Sequence, residues 1–187
     1  NADQVKHALQ ATIPIKDVNV RYKLPHTLIV EVEEREVAAA LNYLTGFALI
    51  DTQGITVELV TRLETYAVPV LTGLKVVDAK VAAKPVFEEN AMHFEVLLKL
   101  IDTAKPILHE ISEINLVVDA NDDPSFYLYT LDGYQVFLGE LDNKKIITMQ
   151  QLLADIRDRN LGKGLLDISH NTPIFKPFSN SNQQERR

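Results

Sequence analysis

The 187-residue chain contains no cysteine, and this absence excludes several kinds of chemistry. Without cysteine there can be no disulfide, no thiolate nucleophile and no thiolate metal site. No apolar run approaches the roughly 20 residues that a membrane-spanning helix needs, and no signal peptide is recognisable. Because the sequence begins at Asn1 rather than at a methionine, we expect a soluble piece of a longer protein, with any membrane anchor upstream.

Clustered positive charge is also lacking, since the formal net charge is −7. Phosphate binding needs grouped lysines and arginines, so nucleic acid is not expected as a partner, and an anionic membrane surface is disfavoured. The composition of 46% hydrophobic and 24% charged residues is typical of an ordered globular protein. The length allows one domain or two small ones.

The residue patterns that usually carry catalysis are missing as well. No G-x-S-x-G elbow is present, and none of the five histidines forms the i, i+4 pair of a helical zinc site. His93 lies near Glu95, but polar residues at a helix start are more often solvated caps than acid–base pairs. We therefore predict no catalytic residue, no metal site and no cofactor.

Two further motifs have ordinary structural interpretations. Asn121-Asp122-Asp123 resembles part of a calcium loop but lacks the remaining acidic ligands, which favours a turn. Gly162-Lys163-Gly164 follows a predicted helix and precedes a strand, the reverse of the order in a phosphate-binding loop, which favours a helix end. The acidic run Glu31–Glu36 is interpreted as a solvated strand face, with contact to a basic partner as the alternative.

Hydrophobic periodicity predicts a mixed α+β fold. Leu28, Val30 and Val32 alternate with more polar positions after Pro25, which is typical of a half-buried strand. A helix (Asp3–Leu9) and a first strand (Ile15–Tyr22) precede it. An extended run (Val37–Leu44), a reversal marked by Asp51 and Gly54, a short strand (Thr56–Leu59) and an extended turn (Val68–Gly73) follow.

The second half of the sequence gives clearer patterns. Apolar spacing predicts helices over 88–103 and Lys145–Asn160, with a helical turn at Ile107–Ile111. The Asp132-Gly133 pair between two apolar runs predicts a β-hairpin. The remaining strands are predicted at Ile114–Asp119, Phe126–Leu131, Gln135–Leu138, Leu165–Ser169 and Thr172–Phe178.

In its order of motifs, the chain resembles the extracytoplasmic region of the FtsQ/DivIB bacterial cell-division proteins. The family stretch P-x-T-L-x-I-x-V-x-E-R-x-P-V-A is matched by Pro25–Ala38, although Glu36 stands where the family usually has proline. The family motif L-I-D-x-x-G is matched by Leu49–Gly54, and L-P-x-L-x-G is loosely echoed by Val68–Gly73. The family also has a strand after its final helix, and Leu165–Ile168 matches this strand.

This resemblance implies a domain organisation and a cellular role. Residues 1–36 would be the C-terminal part of a POTRA domain, a helix with antiparallel strands. Residues 37–178 would be a larger, mostly antiparallel β domain with flanking helices, and residues 179–187 a disordered polar tail. The protein would be a non-enzymatic scaffold of the divisome, held in the plasma membrane by a single anchor outside this chain. It would act on the extracytoplasmic side of the septum and bind FtsL and FtsB/DivIC-type proteins.

The resemblance also places partner binding at the last strand, and the local chemistry supports this. Proline cannot donate a ladder hydrogen bond, so Pro173 and Pro177 favour an edge strand, with Phe175 as the one N–H donor on the proline side. A partner could extend the sheet there. The alternative is a terminal strand that only covers the core. The predicted partner-binding residues are His170, Thr172, Ile174, Phe175, Lys176 and Phe178.

Two other functions stay open at this point. A POTRA-bearing transport or chaperone component would bind extended clients through a similar sheet edge. A mixed α/β enzyme or ligand-binding domain would instead need a concave pocket lined by convergent polar groups, and the sequence provides no such set.

Overall fold

The computed structural model describes residues 15–64, 66–88 and 91–178. The predicted helix Asp3–Leu9 and the predicted disordered tail, residues 179–187, lie outside these ranges. Within them, the fold is α+β, as the sequence predicts, and consists of a two-stranded hairpin, a large mixed sheet, a small two-stranded sheet and two α-helices.

The hairpin pairs β1 (Ile15–Lys23) with β2 (Thr27–Glu34) in antiparallel register. Val18 lies opposite Val32 on one face, as the alternation predicts. The prediction that this face of β2 is half-buried is wrong, because Leu28, Val30 and Val32 are 38–48% exposed. Burial is concentrated at Ile15 and Val18 in the first half of β1.

Beyond the hairpin, the described residues form eleven further strands and two α-helices. The helices are α1 (Ala91–Ala104), which runs into a 3₁₀ helix (Lys105–Glu110), and α2 (Asn143–Asp158). The strands are β3 (Ala39–Tyr43), β4 (Gly46–Ile50), β5 (Thr56–Val60), β6 (Val70–Thr72), β7 (Val76–Asp78), β8 (Val86–Phe87), β9 (Ile111–Val118), β10 (Pro124–Thr130), β11 (Gln135–Gly139), β12 (Gly164–Asp167) and β13 (Ile174–Pro177).

Nine of these strands form one sheet in the order β13-β12-β11-β10-β9-β6-β3-β4-β5. Most neighbours are antiparallel, but β3–β6, β6–β9 and β11–β12 are parallel. The segment Val68–Gly73, predicted as an extended turn, is wrong in part, because Val70–Thr72 is a central strand of this sheet. The flanking residues Pro69 and Gly73 are typical of turns, and three strand residues are too few to show the alternation of a strand.

The predicted hairpin at Asp132-Gly133 is confirmed between β10 and β11. Gly133 has a φ of 93°, and its N–H donates to the Thr130 carbonyl at 3.0 Å. The side chain of Thr130 receives a second hydrogen bond, from the Tyr134 N–H at 2.9 Å. This turn therefore satisfies its own backbone groups and fixes the register of the two strands.

Both α-helices pack on one face of the nine-stranded sheet and enclose a single core cluster. The stripe predicted for α1 is confirmed, since Phe94, Leu97, Leu98 and Ile101 are buried. The stripe predicted for α2 is confirmed except at Leu152, which is only partly buried. From α2, the buried residues are Ile146, Met149, Leu153 and Ile156. The sheet supplies the residues that meet them, among them Leu41, Leu71, Ile114, Phe126, Leu128, Val136 and Leu166.

The hairpin is tied to the β4–β5 turn by a buried ion pair. The Arg35 guanidinium bonds to the Asp51 carboxylate, and the two side chains are only 15% and 6% exposed. The other Asp51 carboxylate oxygen accepts hydrogen bonds from the backbone N–H groups of Gln53 and Ile55, at 2.9 and 2.8 Å. Asp51 is therefore a structural residue that shapes the turn and fixes the hairpin to it.

Candidate docking edge

Strand β13 is the last strand at one end of the nine-stranded sheet. Within the described residues its strand neighbour is β12, which it meets in antiparallel register with Ile174 opposite Asp167 and Phe175 opposite Leu166. Just beyond the strand, the Phe178 N–H donates to the Lys163 carbonyl at 2.9 Å. This bond shows which residues direct their backbone groups toward β12.

Alternation along an antiparallel strand then fixes the other side. Ile174, Lys176 and Phe178 direct their N–H and C=O groups toward β12, while Phe175 and Pro177 direct theirs outward. Among the described residues, no strand pairs with the side that carries Phe175 and Pro177, so within that part of the chain the proline side is the free edge, as predicted. Because Pro177 has no N–H, the outer edge of β13 offers one donor, from Phe175, and two carbonyl acceptors.

The strand is shorter than predicted. It begins at Ile174 rather than at Thr172. Thr172 and His170 are both exposed and belong to the loop that connects β12 to β13. These two predicted partner-binding residues therefore lie beside the edge and not on it.

The side chains of the predicted binding residues divide between the two faces of the sheet. Ile174 and Phe178 are 47% and 44% exposed and share the face opposite the helices, together with exposed Lys176. Phe175 is half-buried and packs against the core cluster on the helix side. The Phe175 ring covers Gly164, where an added Cβ would lie 2.8 Å from two of its ring carbons. Only the residue without a side chain allows this contact.

The face that carries Ile174 continues inward as a row of paired side chains. Ile174 lies opposite Asp167, Asp167 opposite Phe137, and Phe137 opposite Tyr127. The rings of Phe137 and Tyr127 are stacked, with centroids 4.5 Å apart and planes 23° apart. The sequence does not reveal this row, because strand periodicity shows which residues share a face but not which strands are neighbours.

Asp167 also supports the loop that leads to β13. Its carboxylate accepts hydrogen bonds from the hydroxyl of Ser169 at 2.6 Å and from the backbone N–H of Ser169 at 3.0 Å. These bonds, led by the hydroxyl, lower the pKa of Asp167 below its usual value despite partial burial. The carboxylate is therefore held in its ionised form at neutral pH.

The other motifs have structural roles. The turn interpretation of Asn121–Asp123 is confirmed, because the Asp119 carboxylate accepts hydrogen bonds from the N–H groups of Asp123 and Asn121, which lower its pKa. The prediction that His93 is a solvated cap is wrong, since the residue is 5% exposed. Its Nε2 lies 3.1 Å from an Asp122 carboxylate oxygen, a tertiary contact that local sequence cannot reveal.

The acidic run of β2 is solvated, as predicted. Glu33 pairs with Lys16 at 2.5 Å, Glu31 pairs with Arg21, and all four side chains are more than half exposed. A cleft of about 450 Å³ opens near Glu33, between the hairpin and the start of the sheet. Over residues 15–64, 66–88 and 91–178, no group of three His, Cys, Asp or Glu side chains could hold a metal ion.

Comparison with known families gave two matches. Residues 1–35 match the model of the POTRA domain, FtsQ-type, and residues 39–168 match the model of the cell division protein FtsQ/DivIB, C-terminal. The search among curated proteins found no match. Both matched ranges end before β13, so the assignment of the edge depends on the geometry given above.

In the described ranges, no helix combines the length and the apolar character that a membrane crossing requires. The two family models together cover most of the sequence in the expected order, with the POTRA match over the hairpin and the C-terminal match over the large sheet. The chain belongs to the FtsQ/DivIB family of bacterial cell-division proteins.

Proposed function

We propose that this chain is the extracytoplasmic part of a non-enzymatic divisome scaffold that binds FtsL and FtsB/DivIC-type proteins at β13. The observation that carries the proposal is the outward N–H of Phe175, with the carbonyls of Phe175 and Pro177, on a terminal strand. A partner strand can satisfy all three groups by extending the sheet. The family membership supports a role in assembling other division proteins.

Backbone pairing at this edge is too limited to supply the whole affinity. Three hydrogen bonds contribute about 1.5–4.5 kcal/mol in total at their usual net values. A dissociation constant of about 1 mM already corresponds to roughly 4 kcal/mol. The exposed side chains of Ile174 and Phe178, with Lys176 between them and His170 and Thr172 in the adjoining loop, therefore supply the remaining contacts.

The proposal includes a location and a domain organisation. The scaffold is held by a single-pass plasma-membrane anchor outside this chain and acts at the division septum. Residues 1–36 belong to the POTRA domain, residues 37–178 to the β domain, and residues 179–187 to a polar tail. A boundary near residue 36 is supported by the end of β2 at Glu34 and the start of β3 at Ala39. The proposal assigns no catalytic residue, metal or cofactor.

Side-chain contacts are tested with matched isoleucine variants. Ile174→Glu places a charge beside the edge, whereas Ile147→Glu places one on the exposed side of α2, where Ile147 is 59% exposed. We expect Ile174→Glu to raise the dissociation constant for the partner ectodomains by roughly 30-fold, or about 2 kcal/mol, as at a binding hot spot. Isothermal titration calorimetry that gives equal values for the two variants would contradict the proposed site.

The backbone contact is tested at Phe175 itself. Phe175→Ala removes the ring and keeps the outward N–H, while Phe175→Pro removes both without breaking a bond to β12. We expect the proline variant to bind about fivefold more weakly than the alanine variant, which corresponds to one net hydrogen bond. Equal affinity of the two variants would argue against strand addition and leave side-chain contact alone.

A further inference from the structure

Lys145 lies in the first turn of α2, and its ammonium group bonds to the protein backbone. It donates to three backbone carbonyls, those of Leu138 at 2.9 Å, Glu140 at 3.2 Å and Ser169 at 3.2 Å. An ammonium group has three N–H donors, so all of them are used. The helix dipole disfavours a positive charge near a helix N-terminus, so the charge of Lys145 does not stabilise α2.

The three carbonyls belong to two segments that are distant in sequence. Leu138 and Glu140 lie at the end of β11 and just after it, while Ser169 lies in the loop between β12 and β13. The segments approach closely at Gly139, which has a φ of 65° and where an added Cβ would lie 2.8 Å from the Cβ of Ser169. Lys145 therefore holds the β12–β13 loop against the end of β11.

Ser169 is held from both sides. Its carbonyl accepts from Lys145, while its N–H and hydroxyl donate to Asp167. The strand that follows has four residues and pairs with one neighbouring strand within the described part of the chain. Such a short terminal strand depends on its connecting loop for its position, because few ladder bonds hold it.

We infer that Lys145 is a positioning residue that keeps β13 docked on β12 before a partner arrives. The inference depends on the proposed function, since it assigns to Lys145 the readiness of that binding edge. For a partner that needs a docked β13, the apparent dissociation constant is the intrinsic one divided by the fraction of molecules in which β13 is docked. If loss of the ammonium leaves β13 docked in about one molecule in ten, the apparent dissociation constant rises about tenfold.

The test compares Lys145→Met with Lys144→Met. Both variants remove one lysine charge from the same turn, but the Lys144 side chain is exposed and the variant keeps its N–H bond to the Asp142 cap. Hydrogen exchange of the Phe178 amide, which donates to Lys163, reports docking of β13, and exchange at Leu128 in β10 reports global stability. Partner affinity is measured on the same samples.

We expect Lys145→Met to accelerate exchange at Phe178 about tenfold and to weaken partner binding by a similar factor. Exchange at Leu128 should not change. Lys145→Arg keeps N–H donors at this position, so its exchange and partner binding should stay close to those of the unmodified chain. Lys144→Met should also resemble the unmodified chain. If Lys145→Met folds poorly, Ser169→Ala, which removes only the hydroxyl donor to Asp167, should give a smaller effect in the same direction.

Three results would overturn the inference. In the first, amide exchange at Phe178 is the same in the Lys145→Met and Lys144→Met variants. In the second, Lys145→Met accelerates amide exchange at Leu128 as much as at Phe178, which indicates general destabilisation. Binding could also remain unchanged while β13 is loosened and Phe175→Pro still binds more weakly than Phe175→Ala. By contrast, equal binding of those two Phe175 variants argues against the edge proposal, while the exchange data still decide whether Lys145 docks β13.

Discussion

Removing the Arg35 side chain should destabilise the fold more than an ordinary ion-pair deletion. The Asp51 carboxylate is 6% exposed, and Arg35 is its cationic partner. Arg35→Met leaves this carboxylate buried without its cationic partner, and breaking a buried ion pair in this way typically costs 3–5 kcal/mol. We expect the lower value, about 3 kcal/mol, because the backbone N–H groups of Gln53 and Ile55 still hold one carboxylate oxygen. For a chain of this size, the melting temperature should fall by about 6–12 °C.

Arg62→Met provides the matched control, because its ion pair with Glu64 is 3.4 Å long and more than three-quarters exposed on both sides. That variant should lose less than about 1 kcal/mol. Urea unfolding at neutral pH measures both variants. A double variant that adds Asp51→Asn should recover part of the loss, since it removes the stranded charge. If Arg35→Met and Arg62→Met unfold at the same urea concentration, the argument from burial is refuted.

Three further predictions concern the core and the edge. Phe126→Ala should lower the free energy of unfolding by about 3–5 kcal/mol in urea titrations, because the side chain is fully buried. Gly164→Ala should loosen β13, since the new Cβ would lie 2.4 Å from the Lys176 carbonyl oxygen; accelerated exchange at the Phe178 amide would show it, and unchanged exchange would contradict it. Asp167, whose pKa is lowered chiefly by the Ser169 hydroxyl, stabilises the fold above its unfolded pKa of about 3.9, and this contribution is lost as the pH falls through the folded pKa. The stability difference between the unmodified chain and Asp167→Asn should therefore shrink below about pH 4 in acid titrations, and a constant difference would be evidence against this linkage.

The sequence was sufficient where local chemistry decides the structure. The Asp132-Gly133 turn, the apolar stripes of both helices and the proline side of β13 each depend on a few neighbouring residues, and the structure confirms them. The edge of β13 could be oriented from Pro173 and Pro177 alone, because missing donors limit which side can join a ladder.

The sequence was insufficient where distant segments decide the structure. Val70–Thr72 is a central strand because β3 and β9 lie on either side of it, and its own three residues carry no period. Leu28 and Val30 keep the alternation of a half-buried strand, although they are 43% and 38% exposed and join no core. His93 is buried by a turn about thirty residues away. The contacts of Lys145 were missed for the same reason.

The scarcity of donors at β13 also affects how copies of this protein meet each other. Two such strands placed side by side in antiparallel fashion could form two hydrogen bonds, both donated by the Phe175 N–H groups, because neither Pro177 has an N–H; two of their four outward carbonyls would stay unpaired. A different polypeptide with a full set of amides would satisfy both carbonyls. The prolines thus discourage homotypic aggregation at high local concentration and leave the site available to a foreign strand.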